Sequence, residues 1–176
     1  MRPVLLTLVL VVAACSQGSS SPPPPPVAML SVSSDGRPAG PSLHVEGEAA
    51  DNVVTLRVVA TDLGGILGFS YHLRYDPTRL RILDTDVRRA QPAVLGPDAV
   101  MLAVDRQGDV SLGGTRSGAR NGPAHLEGAV TVLELRVEPL VDGESAVGIQ
   151  DVVVRRVDGA LVPVQVAGAR VVRGQS

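Results

Sequence analysis

The segment Phe69-Ser70-Tyr71-His72-Leu73-Arg74-Tyr75 has apolar or aromatic residues at every odd position and polar residues at every even position. This alternation predicts a β-strand with one buried face and one solvated face. The buried face would hold Phe69, Tyr71 and Tyr75, which are the only aromatic residues of the protein. The segment therefore predicts a β-sheet whose core depends on this strand.

Alternation of the same period continues over most of residues 27–172, and no stretch keeps an i, i+3, i+4 apolar pattern for three turns. Clusters of Gly, Pro, Asp and Asn separate the apolar runs, as they do between short strands. We therefore predict an all-β domain, a nine-stranded antiparallel β-sandwich. The predicted strands are 28–33, 53–61, 67–75, 80–86, 99–105, 109–115, 129–138, 146–155 and 161–172.

The composition excludes several classes of enzyme and of nucleic-acid-binding protein. All 16 basic residues are Arg, so Schiff-base chemistry on Lys and a Walker-type phosphate loop are excluded. The formal net charge is -2, with both signs mixed along the chain, which provides no basic surface for nucleic acid. No serine lies in a nucleophile-elbow motif. We therefore predict a protein that is not an enzyme, has no catalytic residues, needs no cofactor and binds no nucleic acid; the enzymatic alternative is hydrolysis by an unrecognised carboxylate pair.

The N-terminus has the pattern of a signal peptide. Met1-Arg2-Pro3 carries a positive charge, and residues 4–14 form an apolar run that only Thr7 interrupts. This run is shorter than the roughly 20 residues that span a bilayer. Val12-Ala13-Ala14-Cys15 resembles a bacterial lipobox, and Cys15 is the only cysteine. We predict that residues 1–14 are a lipoprotein signal peptide and that Cys15 is lipidated; the alternative is a conventional signal peptide cleaved nearby.

A spacer separates this cysteine from the predicted domain. Residues 15–26 contain a polar stretch followed by the five prolines at 22–26, and such a segment would hold the domain about 30 Å from a membrane surface. We assign residues 27–172 to the β-sandwich and residues 173–176 to a C-terminal tail. The segments together predict a lipid-anchored protein of the bacterial cell envelope, at the outer membrane or the cell surface.

Three segments resemble cohesin domains. Residues 58–77, which end in Tyr75-Asp76-Pro77 and are followed by Leu80 and Ile82-Leu83, resemble the second-to-fourth-strand region of cohesins. Residues 128–137 are similar to a later cohesin strand, in which a small residue precedes an alternating apolar run. Gly159, followed by a closing strand, also fits. The resemblance covers residues 27–172 in strand order.

The resemblance implies a jelly-roll sandwich that binds a protein rather than transforming a substrate. In cohesins, the sheet that contains the third, fifth, sixth and eighth strands receives a small calcium-loaded helical module, the dockerin. On this chain, that face would present Ser70, His72 and Arg74 from the third predicted strand and Asp109 and Ser111 from the sixth. The implied function is a non-catalytic, membrane-anchored module that holds a dockerin-like or other partner protein at the cell envelope.

Two questions about this face stay open. The facing of the fifth and eighth predicted strands, around Met101 and Gln150, is ambiguous from the sequence. The ligand could also be a polysaccharide, because carbohydrate-binding modules share the fold. Sugar-binding surfaces normally use exposed aromatic rings, whereas all three aromatic residues are predicted to be buried, although Arg, Asp and Asn can bind sugars alone.

The remaining polar clusters do not predict a metal site. His44, His72 and His125 are far apart and lack any metal-binding spacing. Asp84 and Asp86 share a strand face but would supply too few oxygens for calcium, so we assign them to a solvated strand end. The glycine-rich residues 113–122 predict a flexible loop. The doublets Arg88-Arg89 and Arg155-Arg156 could contact anionic lipid, but a solvated sheet edge explains them better.

Overall fold

A computed structural model of the protein describes residues 28–83, 94–96, 99–116 and 124–175. The predictions for Cys15, for Asp84 and Asp86, and for Arg88-Arg89 lie outside these residues. Within them, no helix is long and apolar enough to cross a membrane. The described residues form ten strands: β1 (Ala28–Ser34), β2 (Ser42–Ala50), β3 (Val53–Tyr75), β4 (Leu80–Ile82), β5 (Ala99–Arg106), β6 (Asp109–Arg116), β7 (Ala124–Pro139), β8 (Gly143–Arg156), β9 (Gln165–Ala167) and β10 (Ala169–Gln175).

The long strand β3 belongs to both layers of a sandwich. Its first half pairs with β2 and β7, and its second half pairs with β6 and β8. The register of β3 against β7 shifts around Leu63, between Asp62 and Gly65, whose φ angles are 54° and 68°. These left-handed residues allow the strand to pass from one sheet to the other.

Two sheets result from this arrangement, and they confirm the predicted all-β sandwich. Sheet I has the order β9-β2-β3-β7-β4, and sheet II has the order β1-β10-β8-β3-β6-β5. All strand pairs are antiparallel except β2 with β9. The third, fifth, sixth and eighth predicted strands lie together in sheet II.

The strand boundaries differ from the prediction in three places. Strand β2 has no predicted counterpart, because Ser42-Leu43-His44-Val45 is buried at all four positions and therefore does not alternate. The second and third predicted strands are one continuous strand. The last predicted strand is divided into β9 and β10, Leu161 forms only an isolated bridge with Arg155, and β10 continues to Gln175, past the expected start of the tail.

The core lies between the sheets and contains the predicted aromatic residues. Phe69 and Tyr71 are buried and stack at a centroid distance of 6.1 Å, while Tyr75 packs partly buried against the same cluster. Burial raises the pKa of the Tyr71 hydroxyl well above its ordinary value. The alternation of residues 69–75 therefore predicts the inward side of β3 correctly.

Candidate functional site

Four cross-strand rows lie on the outward side of sheet II over four of its six strands, because residues paired directly in antiparallel strands point to the same side. Each row crosses β5, β6, β3 and β8 in that order, and we name this surface the four-row face. Row one is Val100, Thr115, Gly68 and Arg155; row two is Leu102, Gly113, Ser70 and Val153; row three is Val104, Ser111, His72 and Gln150; row four is Arg106, Asp109, Arg74 and Gly148.

The structure brings together all five residues that the resemblance placed on a binding face. Ser70, His72 and Arg74 point outward from β3, and Asp109 and Ser111 point outward from β6, within three adjacent rows. Inward-facing Phe69, Tyr71 and Leu73 separate the outward residues of β3 along the chain. The predicted phase of the alternation is therefore correct on both sides of the strand.

An ion cluster occupies the end of this face at rows three and four. His72 Nδ1 lies 3.0 Å from Asp109 Oδ1, and the Arg74 guanidinium lies 3.2 Å from Asp109 Oδ2. The Asp109 carboxylate lies between the His72 ring and the Arg74 guanidinium, and only 15% of its side chain is exposed. Arg74 pairs directly with Asp109 across β3 and β6, and His72 is one row away, which explains how sheet register assembles the cluster.

Ser111 completes a Ser, His and Asp set, but its geometry does not form a catalytic relay. The Ser111 hydroxyl lies 3.1 Å from His72 Nδ1, the same nitrogen that contacts Asp109. In a catalytic triad, the carboxylate accepts a hydrogen bond from one ring nitrogen, and the other nitrogen removes the serine proton. Here one nitrogen has both contacts. The three residues therefore form a polar cluster rather than an activated nucleophile.

An aliphatic ridge lines the β5 side of the four-row face. Val100, Leu102 and Val104 are 53%, 61% and 49% exposed, whereas Met101 turns inward and packs against the core. Grouped exposed apolar side chains of this kind mark contact surfaces. Sequence reasoning missed the ridge because every residue from Ala99 to Val104 is apolar, so alternation cannot distinguish the two sides.

A trough runs beside this ridge, because β6 and β3 present small residues there. Gly113 and Ser70 form its floor in row two, and Gly68 continues it in row one. A Cβ atom on Gly68 would lie 2.4 Å from the Gly114 carbonyl oxygen, so the close approach of the two strands requires glycine. Across the trough, Val153 of β8 is exposed. The face thus combines an aliphatic ridge, a shallow trough and an ion cluster.

Comparison with known proteins identifies the fold. No family model and no curated protein matches the sequence. Among solved structures, a type II cohesin domain from the cellulosome of Acetivibrio cellulolyticus matches with a TM-score of 0.60 and 13% identity, over 76% of this chain and 95% of that domain. The chain has a cohesin-like fold.

Two further structures extend this likeness. The sixth cohesin of Acetivibrio cellulolyticus scaffoldin B, solved in complex with a Cel5 dockerin mutant, matches with a TM-score of 0.58 and 14% identity, over 74% of this chain and 96% of that chain. A non-cellulosomal cohesin from the archaeon Archaeoglobus fulgidus matches with a TM-score of 0.56 and 15% identity, over 74% and 89% of the two chains. The cohesin-like fold is therefore shared at low sequence identity.

The other candidate residues lie elsewhere on the cohesin-like fold. His44 is buried on the outward side of sheet I, where its Nε2 lies 3.0 Å from Glu46 Oε1 and its Nδ1 has no hydrogen-bond partner among the described residues. The side chain of His125 lies outside the described residues. Over residues 28–83, 94–96, 99–116 and 124–175, no group of three His, Cys, Asp or Glu side chains could hold a metal ion.

The structure also locates the start of the glycine-rich segment and the second arginine doublet. Gly113 and Gly114 lie within strand β6 rather than in a loop, because they pair with β3 and β5. Residues 117–122 lie outside the described part of the chain. Arg155 and Arg156 are both exposed at the end of β8. Only Arg155 belongs to the four-row face.

Proposed function

We propose that the protein is a non-catalytic binding module whose four-row face holds a partner protein. The observation that carries the proposal is the aliphatic ridge of Val100, Leu102 and Val104, which lies exposed beside a preformed ion cluster on the same sheet face. Protein interfaces combine an apolar centre with polar groups that set orientation. A dockerin-like helical module is the proposed partner class, since the cohesin of similar fold from scaffoldin B was solved with a dockerin.

The positions of the aromatic rings favour a protein over a polysaccharide. Phe69 and Tyr71 are buried, Tyr75 packs partly buried against the core, and the sequence contains no other aromatic residue. The four-row face therefore lacks the ring platform on which sugars usually stack. The ridge instead offers aliphatic surface, which is suited to aliphatic side chains of a partner.

Affinity capture with a matched pair of variants tests this proposal. The full chain is used to capture proteins from envelope and secreted extracts, with and without calcium chelation. Leu102→Asp places a charge at the centre of the ridge and should reduce capture of the partner at least about tenfold, because a buried unpaired carboxylate opposes association. Val141→Asp makes a comparable change at the exposed turn between β7 and β8 and should not reduce capture. Equal capture by wild type and Leu102→Asp would contradict the proposal.

We also propose that the module is anchored to the bacterial cell envelope through Cys15. Support comes from the sequence, in which the lipobox-like Val12-Ala13-Ala14-Cys15 precedes a polar and proline-rich spacer. Lipoproteins with several acyl chains exceed the two-signal threshold for stable membrane association.

Fractionation of the Cys15→Ala variant tests the anchor. The wild-type protein should sediment with membranes, whereas Cys15→Ala should accumulate as uncleaved precursor or appear in the soluble fraction. Mass spectrometry of the mature N-terminus provides the second measurement. A soluble wild-type protein whose mature N-terminus is not Cys15 would rule out the anchor, and it would leave the binding proposal intact.

A further inference from the structure

A depression with a volume of about 190 Å³ opens on the four-row face at row one. Its lining includes Leu67, Gly68, Ser70, Thr115, Val153 and Arg155. It exists because Gly68 has no side chain and because sheet packing excludes any larger residue at that position. A cavity of about 150 Å³ accommodates benzene, so this depression has room for a branched aliphatic side chain.

The walls of the depression combine aliphatic surface with one cation. Leu67 and Val153 contribute the aliphatic surface, and Val153 is exposed to solvent. The Arg155 guanidinium makes one weak contact, 3.4 Å from the Gly159 carbonyl oxygen. Within the described part of the chain, no carboxylate pairs with Arg155, whereas Arg74 and Arg170 each have an acidic partner.

This composition selects the ligand chemistry. A branched aliphatic group fits the depression and removes the exposed surface of Val153 from water. A carboxylate next to that group can accept two parallel hydrogen bonds from the Arg155 guanidinium, which has no carboxylate partner among the described residues. A cationic group would instead meet a like charge at the wall. The depression therefore differs from the ion cluster of rows three and four, where Asp109 already balances Arg74.

Resting on the function proposed above, we propose that the partner inserts a branched aliphatic side chain into this depression and places a carboxylate beside it on Arg155. The depression then acts as a specificity pocket of the four-row face. Partners that present a cation at this point are disfavoured by charge, and partners that present only backbone leave the aliphatic walls of the depression uncovered.

A small-molecule probe tests the pocket without the partner. The mature protein is titrated with 4-methylpentanoate, and backbone amide NMR shifts are followed. Shifts should concentrate on Gly68, Gly114, Thr115 and Arg155. The uncharged match, 4-methylpentanamide, should bind at least about threefold more weakly because it lacks the charge-assisted hydrogen bonds, and 3-methylbutylammonium should produce no localised shifts. Equal binding of all three probes, or shifts located elsewhere, would overturn the proposal.

Paired variants connect the pocket with the partner. Ser70→Leu fills the depression and Arg155→Glu reverses its charge, and each should abolish the probe shifts and weaken partner capture at least about fivefold. Ser33→Leu, at an exposed position of β1 outside the four-row face, and Arg156→Glu are the matched controls, and both should behave as the wild type does. Arg155→Glu lies at an exposed position, so it stays informative if Ser70→Leu lowers the melting temperature.

The outcomes separate this proposal from the proposed function. If Leu102→Asp abolishes capture while Ser70→Leu and Arg155→Glu leave it unchanged, the pocket proposal fails and the four-row face remains the binding surface. If Leu102→Asp leaves capture unchanged, the proposed function itself fails. Loss of capture in all three variants, together with retention in both controls, supports the two proposals.

Discussion

The outward sides of the two sheets differ in the extent to which their side chains form ion pairs with one another. On sheet I, Arg57 contacts Glu134 at 2.8 Å and Glu48 at 3.7 Å, so one cation connects β2, β3 and β7. Arg81 and Glu138 form another cross-strand ion pair between β4 and β7. On sheet II, the four-row face has one ion cluster and leaves the side chains of the aliphatic ridge about half exposed to solvent.

This difference shows that alternation alone does not identify a binding surface. Both sheets place outward residues at every second position, and on sheet I those residues pair with their neighbours across the strands. Of the large apolar residues that are exposed among the described residues, Val100, Leu102, Val104 and Val153 are grouped on the outward side of sheet II. A face whose groups lack internal partners gains the most from an external one.

The largest expected effect separates the inward and outward positions of β3. Truncating Phe69 to Ala should lower the free energy of unfolding by about 3–5 kcal/mol, because it opens a cavity beside Tyr71 in the core. Ser70→Ala, one residue away on the four-row face, should change it by less than about 0.5 kcal/mol. Urea denaturation measures both values. Similar values for the two variants would show that the outward side chains of sheet II also contribute to the stability of the fold.

A smaller effect tests whether the ion pairs on the outward side of sheet I stabilise the fold. Arg57→Ala removes two ion pairs and should cost about 0.5–1 kcal/mol in low salt, and the loss should shrink in high salt because exposed pairs are screened. Leu102→Ser, on the ridge of sheet II, should leave stability nearly unchanged at both salt concentrations. Thermal melts in low and high sodium chloride compare the two. A salt-independent cost for Arg57→Ala would attribute its role to packing of the side-chain stem instead.

The smallest effect concerns Glu46 on the outward side of sheet I. A hydrogen bond with His44, supported by Arg37, lowers the pKa of Glu46 from its ordinary value of 4.5, against an opposing effect of burial. Because the folded-state pKa is the lower one, Glu46 stabilises the fold above the unfolded-state pKa, and this contribution is lost as pH falls through the folded-state pKa.

Comparison of wild type with Glu46→Gln tests this sign. The wild type should be more stable at about pH 6 by a few tenths of a kcal/mol, since the carboxylate is nearly half exposed and its pairing is screened. The difference should disappear by about pH 3. If the stability advantage of the wild type over Glu46→Gln grows as the pH falls, the ionised form of Glu46 is not the form that stabilises the fold.

The facing of β3 and the lack of helix among the described residues were predictable from local pattern, whereas most of the proposed binding face was not. Ser70, His72 and Arg74 follow from the phase of one clean strand. The ridge does not, because β5 is apolar on both sides and only its pairing with β6 decides that Met101 points inward. Strand β2 was missed for the related reason that His44 is buried on the outward side of sheet I.

The sequence by itself determined the class of fold, since a period of two is a property of neighbouring residues along one strand. It also determined which side of residues 69–75 enters the core. The tertiary structure alone decided that Asp109 meets His72 and Arg74, which lie more than 30 residues away in the chain. It also decided that Gly68 and Gly113 form one trough between β5 and β8. Those arrangements depend on long-range strand register, which local alternation does not encode.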